Sequence, residues 1–364
     1  MTLSTSSDFN RYHPESLDLE TMLINIRSDT QTLPTETMRR AIYEAELGDD
    51  TYDEDPTVHR FEALAAEMTG MEAALLVISG NMGNLTALMT HAHHGDEVII
   101  DLDSHIYYYE EGGLANIAGL MPMPVKSHQG MLDPDDVRAV IRKPNLHYPI
   151  PRLLCLENTH NRSGGRVVPL DLHIELCKVA RESDMSIHLD GARIFNAALA
   201  SGVSVKEYTR HVDSMMFCLS KGLGAPLGSV LVGSREFVER ADFHRKRLGG
   251  GMRQAGLIAA AGIVALGQMV DRLVEDHANA KYLAEAINEI PGLTVGIKTV
   301  ETNMVYIDHT GTGLDTGEIL NRLKEWGLIA SGRPPHHVRM VTNLHHEPEV
   351  IDEVIRRIKL AFKS

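Results

Sequence analysis

The sequence predicts an α/β protein with a largely parallel central sheet covered by helices on both faces. Short apolar runs alternate with helical stretches along most of the chain, and each run is bounded by turn residues. Strands that are apolar throughout are typical of a parallel sheet, which is buried on both faces. The 364 residues exceed what one hydrophobic core usually holds, so we expect a second, smaller domain.

Six apolar runs carry the sheet prediction, and helical stretches follow several of them. The runs are LLVIS (75–79), EVIIDLD (97–103), LLCLEN (153–158), SIHLD (186–190), SMMFCLS (214–220) and GSVLVGS (228–234). NLTALMTHA follows the first run, and LDLHIELCKVARES follows the third. LIAAAGIVALG (257–267) is too short to span a bilayer, so we interpret it as a packed internal helix.

The pattern changes after about residue 268. An amphipathic stretch at 271–290 ends at Pro291-Gly292, and the strand-like pieces LTVGIKTV, NMVYIDH and VRMVTNL follow, with the helical TGEILNRLKEWG among them. This mixture indicates an α+β unit. We therefore predict a flexible N-terminal extension at 1–25, a large domain at 26–270 and a small C-terminal domain at 271–364.

Composition excludes several classes of function. The net charge of −15 argues against a nucleic-acid footprint and against an anionic membrane surface. Cys155, Cys177 and Cys218 each lie in an apolar stretch, which favours a reducing compartment without disulfides. The N-terminus has no run that resembles a signal peptide, so we expect a cytoplasmic protein. The adjacent histidine pairs point apart in regular structure, and no metal site is expected.

Ligands of open α/β sheets bind beyond the carboxyl ends of the strands, where this sequence places unusual residues. Gly80 and Asn81 open a helix directly after a strand, where free amide groups could bind a phosphate, although a plain turn would explain the glycines too. Asp190 ends another strand and Arg193 follows it. The two either form an ion pair that caps the next helix, or serve a ring nitrogen and an anionic substrate group respectively.

Lys221 is placed where two apolar runs enclose a glycine-rich turn. A lysine that is desolvated loses its proton more readily and becomes a nucleophile towards carbonyl groups. An anion cradle, a carboxylate and an amine together match the phosphate, ring nitrogen and aldehyde of pyridoxal phosphate. The combination is much more specific than any one of its members.

Seven segments extend this hypothesis to a family. They are RSDTQTLPTETM (27–38), GDDTYDEDPTVHRFE (48–62), SGNMGN (79–84), LENTHNRSGGRVVPL (156–170), HLDGARIFNAA (188–198), SKGLGAPLGSVLVG (220–233) and RKRLGGGMRQAGLIAAAG (245–262). These segments resemble the low-specificity L-threonine aldolases, which are pyridoxal-phosphate enzymes of fold type I, the aspartate-aminotransferase type. The resemblance runs from about Ile26 to the C-terminus.

The resemblance implies roles around the cofactor, pyridoxal 5′-phosphate. Lys221 would be the Schiff-base lysine, and Asp190 would pair with the ring nitrogen. The backbone amides of Gly80 and Asn81, together with Ser220, would bind the phosphate.

The resemblance also implies roles around the substrate. His105 would stack on the cofactor ring and, like the second histidine His147, is a candidate base for the β-hydroxyl proton. Ser28, Arg193 and Arg339 would bind the substrate carboxylate, with Arg193 close enough to serve the cofactor as well. The implied reaction is retro-aldol cleavage of threonine, allo-threonine or phenylserine to glycine and an aldehyde.

Relatives form active sites between subunits, which implies a homo-oligomer, either a dimer or a dimer of dimers. Lys246 and Arg253 would then reach the phosphate of a neighbouring subunit. The chain departs from many relatives at Asp53, where they have glycine, and at Asn343, where they have histidine.

Other activities fit parts of the pattern. A β-eliminating lyase, an aminotransferase or a folate-dependent glycine hydroxymethyltransferase would use the same cofactor. A non-catalytic binding protein on this fold is disfavoured by the intact Lys221, Asp190 and Arg339. A nicotinamide dehydrogenase is disfavoured because the glycine spacing is wrong.

Overall fold

A computed structural model describes residues 22–143 and 145–363. The predicted extension at 1–25 lies outside the described residues over 1–21, and its last two residues form a strand. The strands are β1 (Ile24–Asn25), β2 (Ala73–Val77), β3 (Glu97–Asp101), β4 (Met121–Val125), β5 (Pro151–Glu157), β6 (Ser186–Asp190), β7 (Ser214–Cys218), β8 (Ser229–Gly233), β9 (Met304–Asp308), β10 (Leu328–Ile329), β11 (Ser331–Arg333) and β12 (His337–Val341).

Helices cover both faces of the sheet, and three of them lie in the C-terminal part. They are α1 (Glu36–Tyr43), α2 (Pro56–Thr69), α3 (Gly80–His91), α4 (His105–Tyr108), α5 (Gly113–Asn116), α6 (Pro134–Val140), α7 (Leu170–Arg181), α8 (Ile194–Ser201), α9 (Val205–Thr209), α10 (Arg235–Arg247), α11 (Gly256–Val264), α12 (Leu273–Ile287), α13 (Thr316–Glu325) and α14 (Pro348–Ala361). The predicted internal helix corresponds to α11, where Ala259, Ala260 and Ala261 are buried.

The central sheet has seven strands in the order β2-β8-β7-β6-β5-β3-β4. Its pairs are parallel except for the two that β8 makes with β2 and β7. The prediction of a largely parallel, helix-covered sheet is confirmed, and each of the six predicted runs overlaps a strand. Strand β8 is antiparallel because the chain between Cys218 and Ser229 is too short for a helical crossover.

Strand β4 was not predicted from the sequence. Its sequence MPMPV contains two prolines, which cannot donate to a neighbouring strand and are therefore confined to sheet edges. The strand order places β4 at the edge, next to β3. The sequence pattern alone did not separate an edge strand of this kind from a loop.

The C-terminal part has its own hydrophobic core, formed by α12, α13, α14 and the antiparallel sheet β11-β12-β9. Ile24 and Ile26 also pack in this core, because β1 pairs in parallel with β10. The predicted strand LTVGIKTV is wrong. The side chain of Asn288 hydrogen-bonds both backbone polar groups of Val295, and a 3-10 turn follows at Ile297–Thr299.

The boundary between the large and the small domain near residue 270 stays a prediction. In the part of the chain that the structure describes, no single helix is long and apolar enough to cross a membrane. The stretches Gly256–Met269 and Leu273–Ile287 meet that length and composition only as a pair, bent by 65°.

Candidate active site

The carboxyl ends of parallel strands bring the predicted residues to one edge of the sheet. Helix α3 begins after β2, His105 begins α4 after β3, Glu157 ends β5 and Asp190 ends β6. Lys221 follows β7, the next parallel strand, and its side chain is half-buried. The charge of Lys221 contributes to the pKa of the carboxyl of Asp29 and of the imidazole of His105, so Lys221 lies near both.

Asp190 is buried and held by two donors. Its Oδ2 accepts a hydrogen bond from Nδ2 of Asn84 at 2.9 Å, and its Oδ1 accepts one from the backbone N–H of Ala192 at 3.1 Å. The carboxylate therefore has a fixed orientation at the strand end. Each of its oxygens retains a lone pair, which a ring N–H could use.

Arg193 pairs with Asp29 rather than with Asp190, so the interpretation of an Asp190–Arg193 cap is wrong. Its Nε and one terminal nitrogen donate to the two carboxylate oxygens of Asp29 at 2.7 and 2.6 Å. Burial alone would raise the pKa of Asp29, but the charge and hydrogen bonds of Arg193, with a smaller effect of Lys221, lower it to about 2. Arg193 is thus fixed by an ionised partner beside Lys221.

His105 is positioned by two acidic residues. Its backbone N–H donates to Glu157 at 2.6 Å, and its Nδ1 lies 2.9 Å from Oε1 of Glu110. Burial lowers the pKa of His105, but the hydrogen bond to Glu110 and the charges of Asp190 and Glu110 outweigh burial and raise it above its ordinary value. Burial also raises the pKa of Glu110.

The ring nitrogen atoms of His105 and the carboxylate oxygens of Glu110 and Asp190 approach within 4.8 Å of one another. Donors of these types can hold a cation. Asn84 donates a hydrogen bond to each of the two carboxylates, at 2.8 and 2.9 Å.

Arg339 is a buried cation that forms no ion pair with any described residue. Its terminal nitrogens donate to Oδ1 of Asn161 and to the carbonyl of Arg27, at 3.2 and 3.0 Å, and its buried Nε has no hydrogen-bond partner. Burial and the positive charges of Arg333 and Arg193 lower its pKa to about 10. An uncompensated guanidinium at this position is suited to bind a carboxylate.

The remaining predicted substrate group, Ser28, precedes Asp29. Its hydroxyl oxygen accepts hydrogen bonds from the backbone and the side chain of Thr30, at 3.2 and 2.9 Å. The hydroxyl hydrogen of Ser28 therefore remains available to a ligand.

The start of α3 forms an anion cradle. The hydroxyl of Ser79 accepts from the backbone N–H of Met82 at 3.3 Å, and the N–H of Gly83 donates to the carbonyl of Ser79. The amides of Gly80 and Asn81 have no such partner among the described residues. A Cβ on Gly80 would lie 3.0 Å from Sγ of Cys218, so a side chain there would require Cys218 to shift.

Three predicted residues are not brought to the Lys221 site. Lys246 and Arg253 are exposed on the glycine-rich segment, and Arg253 pairs with Asp49 at 3.2 Å. His147 is exposed and precedes β5, so it lies at the amino edge of the sheet, opposite the site. The role that the resemblance implies for Lys246 and Arg253 at a neighbouring subunit's site stays a prediction, and so does the role of His147 as a second active-site histidine.

The sequence interpretation missed four polar residues of the site: Asp29, Asn84, Glu110 and Glu157. Glu157 could have been predicted from the sequence, because it ends an apolar strand as Asp190 does. Asp29 and Asn84 carry no comparable signal, since their partners are more than a hundred residues away, and Glu110 lies in a short polar stretch whose partner His105 is five residues before it.

The arrangement can bind a ligand with a phosphate, a basic ring nitrogen and a carbonyl group. Free amides at the start of α3 fit the phosphate, Asp190 fits the ring nitrogen and Lys221 supplies an amine. The orphaned Nε of Arg339 fits a substrate carboxylate. These residues fit pyridoxal 5′-phosphate and an amino-acid substrate.

Comparison with known proteins gives the same result independently. Residues 25–310 match the family model described as beta-eliminating lyase. The chain is 44% identical to low-specificity L-threonine aldolase 1 of Arabidopsis thaliana, over 89% of this chain and 91% of that protein. It is 41% identical to the low specificity L-threonine aldolase of Escherichia coli K12, over 91% of this chain and 97% of that protein.

Among solved structures, the fold is similar to that of the Leishmania major threonine aldolase. The TM-score is 0.79 at 17% identity, and the match covers 93% of this chain and 98% of the other. Identity at this level supports the fold alone.

Proposed function

Since the chain belongs to the low-specificity L-threonine aldolase family, we propose that it cleaves L-threonine, L-allo-threonine or a related β-hydroxy-α-amino acid such as phenylserine to glycine and an aldehyde. Family membership confirms the predicted fold-type-I architecture, the carbon–carbon lyase class and pyridoxal 5′-phosphate as the cofactor. When bound, pyridoxal phosphate supplies an aldehyde that joins amino groups and a protonated ring that withdraws electrons from Cα.

The observation that carries the proposal is the buried guanidinium of Arg339, which lies near Arg193 and Asp29 and whose Nε has no hydrogen-bond partner among the described residues. Among the described residues Arg339 has no carboxylate partner, so the substrate carboxylate would be its ion-pair partner. Because a planar guanidinium binds a carboxylate in two places, it would fix the rotation about the substrate's Cα. That rotation decides which bond to Cα breaks. A Cα–Cβ bond that is perpendicular to the plane of the cofactor ring leads to retro-aldol cleavage.

The reaction removes the proton of the β-hydroxyl, breaks Cα–Cβ and returns a proton to Cα. His105 is the candidate base that this chain itself places at the site, with Nδ1 engaged by Glu110 and Nε2 left for the substrate or a bridging water. Asp190 holds the proton on the ring nitrogen. Lys221 provides the amine that anchors the cofactor.

The finer proposals concern assembly and location. We infer a homo-oligomer, either a dimer or a dimer of dimers, in which His147, Lys246 and Arg253 serve the site of another copy. Their exposure on this chain supports that role. A cytoplasmic location is consistent with the three free, buried cysteines.

The test is an assay of products from L-threonine, L-allo-threonine and L-phenylserine in the presence of the cofactor. Glycine with an equimolar aldehyde is expected, and Lys221→Ala should abolish it while the exposed Lys324→Ala retains it. The family description keeps β-elimination as the second candidate activity. A keto acid with ammonia in place of glycine would favour elimination and overturn the aldolase proposal.

A further inference from the structure

A continuous chain of buried hydrogen bonds leads from Asp190 into the interior of the sheet. Asn84 on α3 contacts Asp190, and Nε2 of His188 on β6 lies 3.1 Å from Oδ1 of Asn84. Nδ1 of His188 lies 2.8 Å from the hydroxyl of Ser214 on β7, and Nε2 of His91 lies 2.7 Å from the same hydroxyl. Asn84, His188 and Ser214 are fully buried.

The donor direction of this chain follows from its first member. Nδ2 of Asn84 faces carboxylate oxygens of both Asp190 and Glu110, so it uses its two hydrogens there. Oδ1 of Asn84 must then accept, and Nε2 of His188 must carry a hydrogen. The reverse orientation of the amide would place its oxygen against two carboxylates.

The direction of the remaining hydrogen bonds follows from which atoms carry a hydrogen. Burial lowers the pKa of His188 to about 4, so its ring is neutral at pH 7 and Nδ1 accepts from the hydroxyl of Ser214. Ser214 then accepts from His91, and burial lowers the pKa of that imidazole to about 3. Each of these hydrogen bonds is therefore donated in the direction of Asp190.

Two nearby acids make such support necessary. Burial raises the pKa of both Glu110 and Glu157, and the negative charge of Asp190 raises it further. Carboxylates that lie this close together in a buried site repel one another. Hydrogen bonds from His105 and Asn84 offset this repulsion at Glu110. At Asp190, the hydrogen bonds that do so come from Ala192 and Asn84.

We propose that Asn84, His188, Ser214 and His91 form a directional relay that keeps Asp190 ionised and thereby keeps the proton on the cofactor's ring nitrogen. The inference rests on the proposed function, because it needs the cofactor bound with that nitrogen at Asp190. The four are positioning residues, which act through Asp190. Aligned hydrogen bonds polarise one another, so removing a distant member weakens the last bond.

The relay predicts an effect that a purely structural network would not have. Donors to Asp190 favour a carboxylate beside a protonated ring over a carboxylic acid beside a neutral ring. Without them the proton moves from the ring nitrogen towards Asp190. The ¹⁵N chemical shift of the ring nitrogen, measured on holoenzyme carrying ¹⁵N-labelled pyridoxal phosphate, reports this position directly.

Ser214→Ala is the central variant, since it removes one hydroxyl that is three hydrogen bonds away from Asp190. Ser229→Ala is its matched control: Ser229 is also fully buried on a strand of the same sheet, and its hydroxyl has no hydrogen-bond partner among the described residues. His91→Phe keeps the ring stacked on Phe237, with centroids 4.5 Å apart, and removes the donor. The His91→Phe variant tests the relay if Ser214→Ala fails to fold.

The parent holoenzyme should show a ring nitrogen in the pyridinium range. Ser214→Ala and His91→Phe should move that resonance towards neutral pyridine, and Ser214→Ala should weaken cofactor binding about two- to three-fold. Asn84→Ala removes a charge-assisted bond outright and should weaken cofactor binding about ten-fold or more. Ser229→Ala should match the parent in both measurements.

Equal shifts in Ser214→Ala and Ser229→Ala, or no shift in either relay variant, would overturn the relay. If the parent binds the cofactor and releases glycine in that case, the proposed function stands. A parent that binds no cofactor overturns both.

Discussion

Replacing Asp29 by asparagine should destabilise the protein strongly, because it would leave Arg193 as a buried cation without an ion-pair partner. The two carboxylate oxygens of Asp29 accept from Arg193 at 2.6 and 2.7 Å, and both side chains are buried. Asparagine keeps the shape of the side chain and removes its charge. Neutralising one partner of a buried pair typically costs about 3–5 kcal/mol of unfolding free energy.

The pKa of Asp29 gives a second, independent magnitude. Its decrease from 3.8 to about 2 corresponds to about 2 kcal/mol at neutral pH. Because the folded-state pKa lies below the unfolded one, this contribution is present above pH 3.8 and is lost as the pH falls through about 2. We therefore expect a loss of about 2–5 kcal/mol that is constant from pH 5 to pH 8.

Urea unfolding, followed by far-UV circular dichroism at several pH values, measures this loss as a shift of midpoint at constant slope. Asp135→Asn is the matched control, since Asp135 pairs with Arg138 at the same 2.6 Å but is 90% exposed. Its midpoint should barely move. A double-mutant cycle with Arg193→Met should show that the two losses are not additive.

The reasoning fails if Asp29→Asn loses less than about 1 kcal/mol, well below the expected range for a buried pair. It also fails if the loss grows between pH 8 and pH 5, because Asp29 would then titrate in that window. Strict additivity in the cycle would show that Asp29 and Arg193 do not depend on each other.

Three further predictions concern single side chains. Arg339→Gln should raise the KM for L-allo-threonine about 10- to 100-fold, and an unchanged KM in steady-state kinetics would remove Arg339 from the carboxylate site. Glu110→Gln removes a negative charge that raises the pKa of His105, so the acidic limb of the rate–pH profile should move to lower pH. An unmoved limb in the folded variant would exclude His105 as the titrating base. Asp53→Gly should raise the thermal midpoint slightly, because Asp53 has a φ of 59° that glycine adopts without strain, while the lost contact to His59 is exposed. A lower midpoint would mean that this contact outweighs the backbone strain.

Features that depend on local pattern could be predicted from the sequence. The strands are apolar over consecutive residues, and the parallel topology follows from the helices between them. Because parallel strands end at a common edge, Asp190 and Lys221 could be assigned to one site before any contact was known. His105 also follows an apolar run, and resemblance to a family then supplied its role and added Arg339, which no local pattern distinguishes.

Contacts across the fold could not be predicted in the same way. Asp29 meets Arg193 from 164 residues away, and Asn84 meets Asp190 from 106 residues away. Single-sequence patterns carry no information about such pairs, so one of the two alternatives for Arg193 paired it with Asp190, a neighbour in sequence, whereas in space its partner is Asp29.

The sequence by itself determined the strand-and-helix alternation, the edge of the sheet that carries the site and the chemical types gathered there. Only the tertiary structure decided which donor meets which acceptor: Asn84 on Asp190, Asp29 on Arg193, and an unpaired Arg339. The physical reason is that burial makes every polar group require a partner, while the partner is chosen by packing across the whole chain.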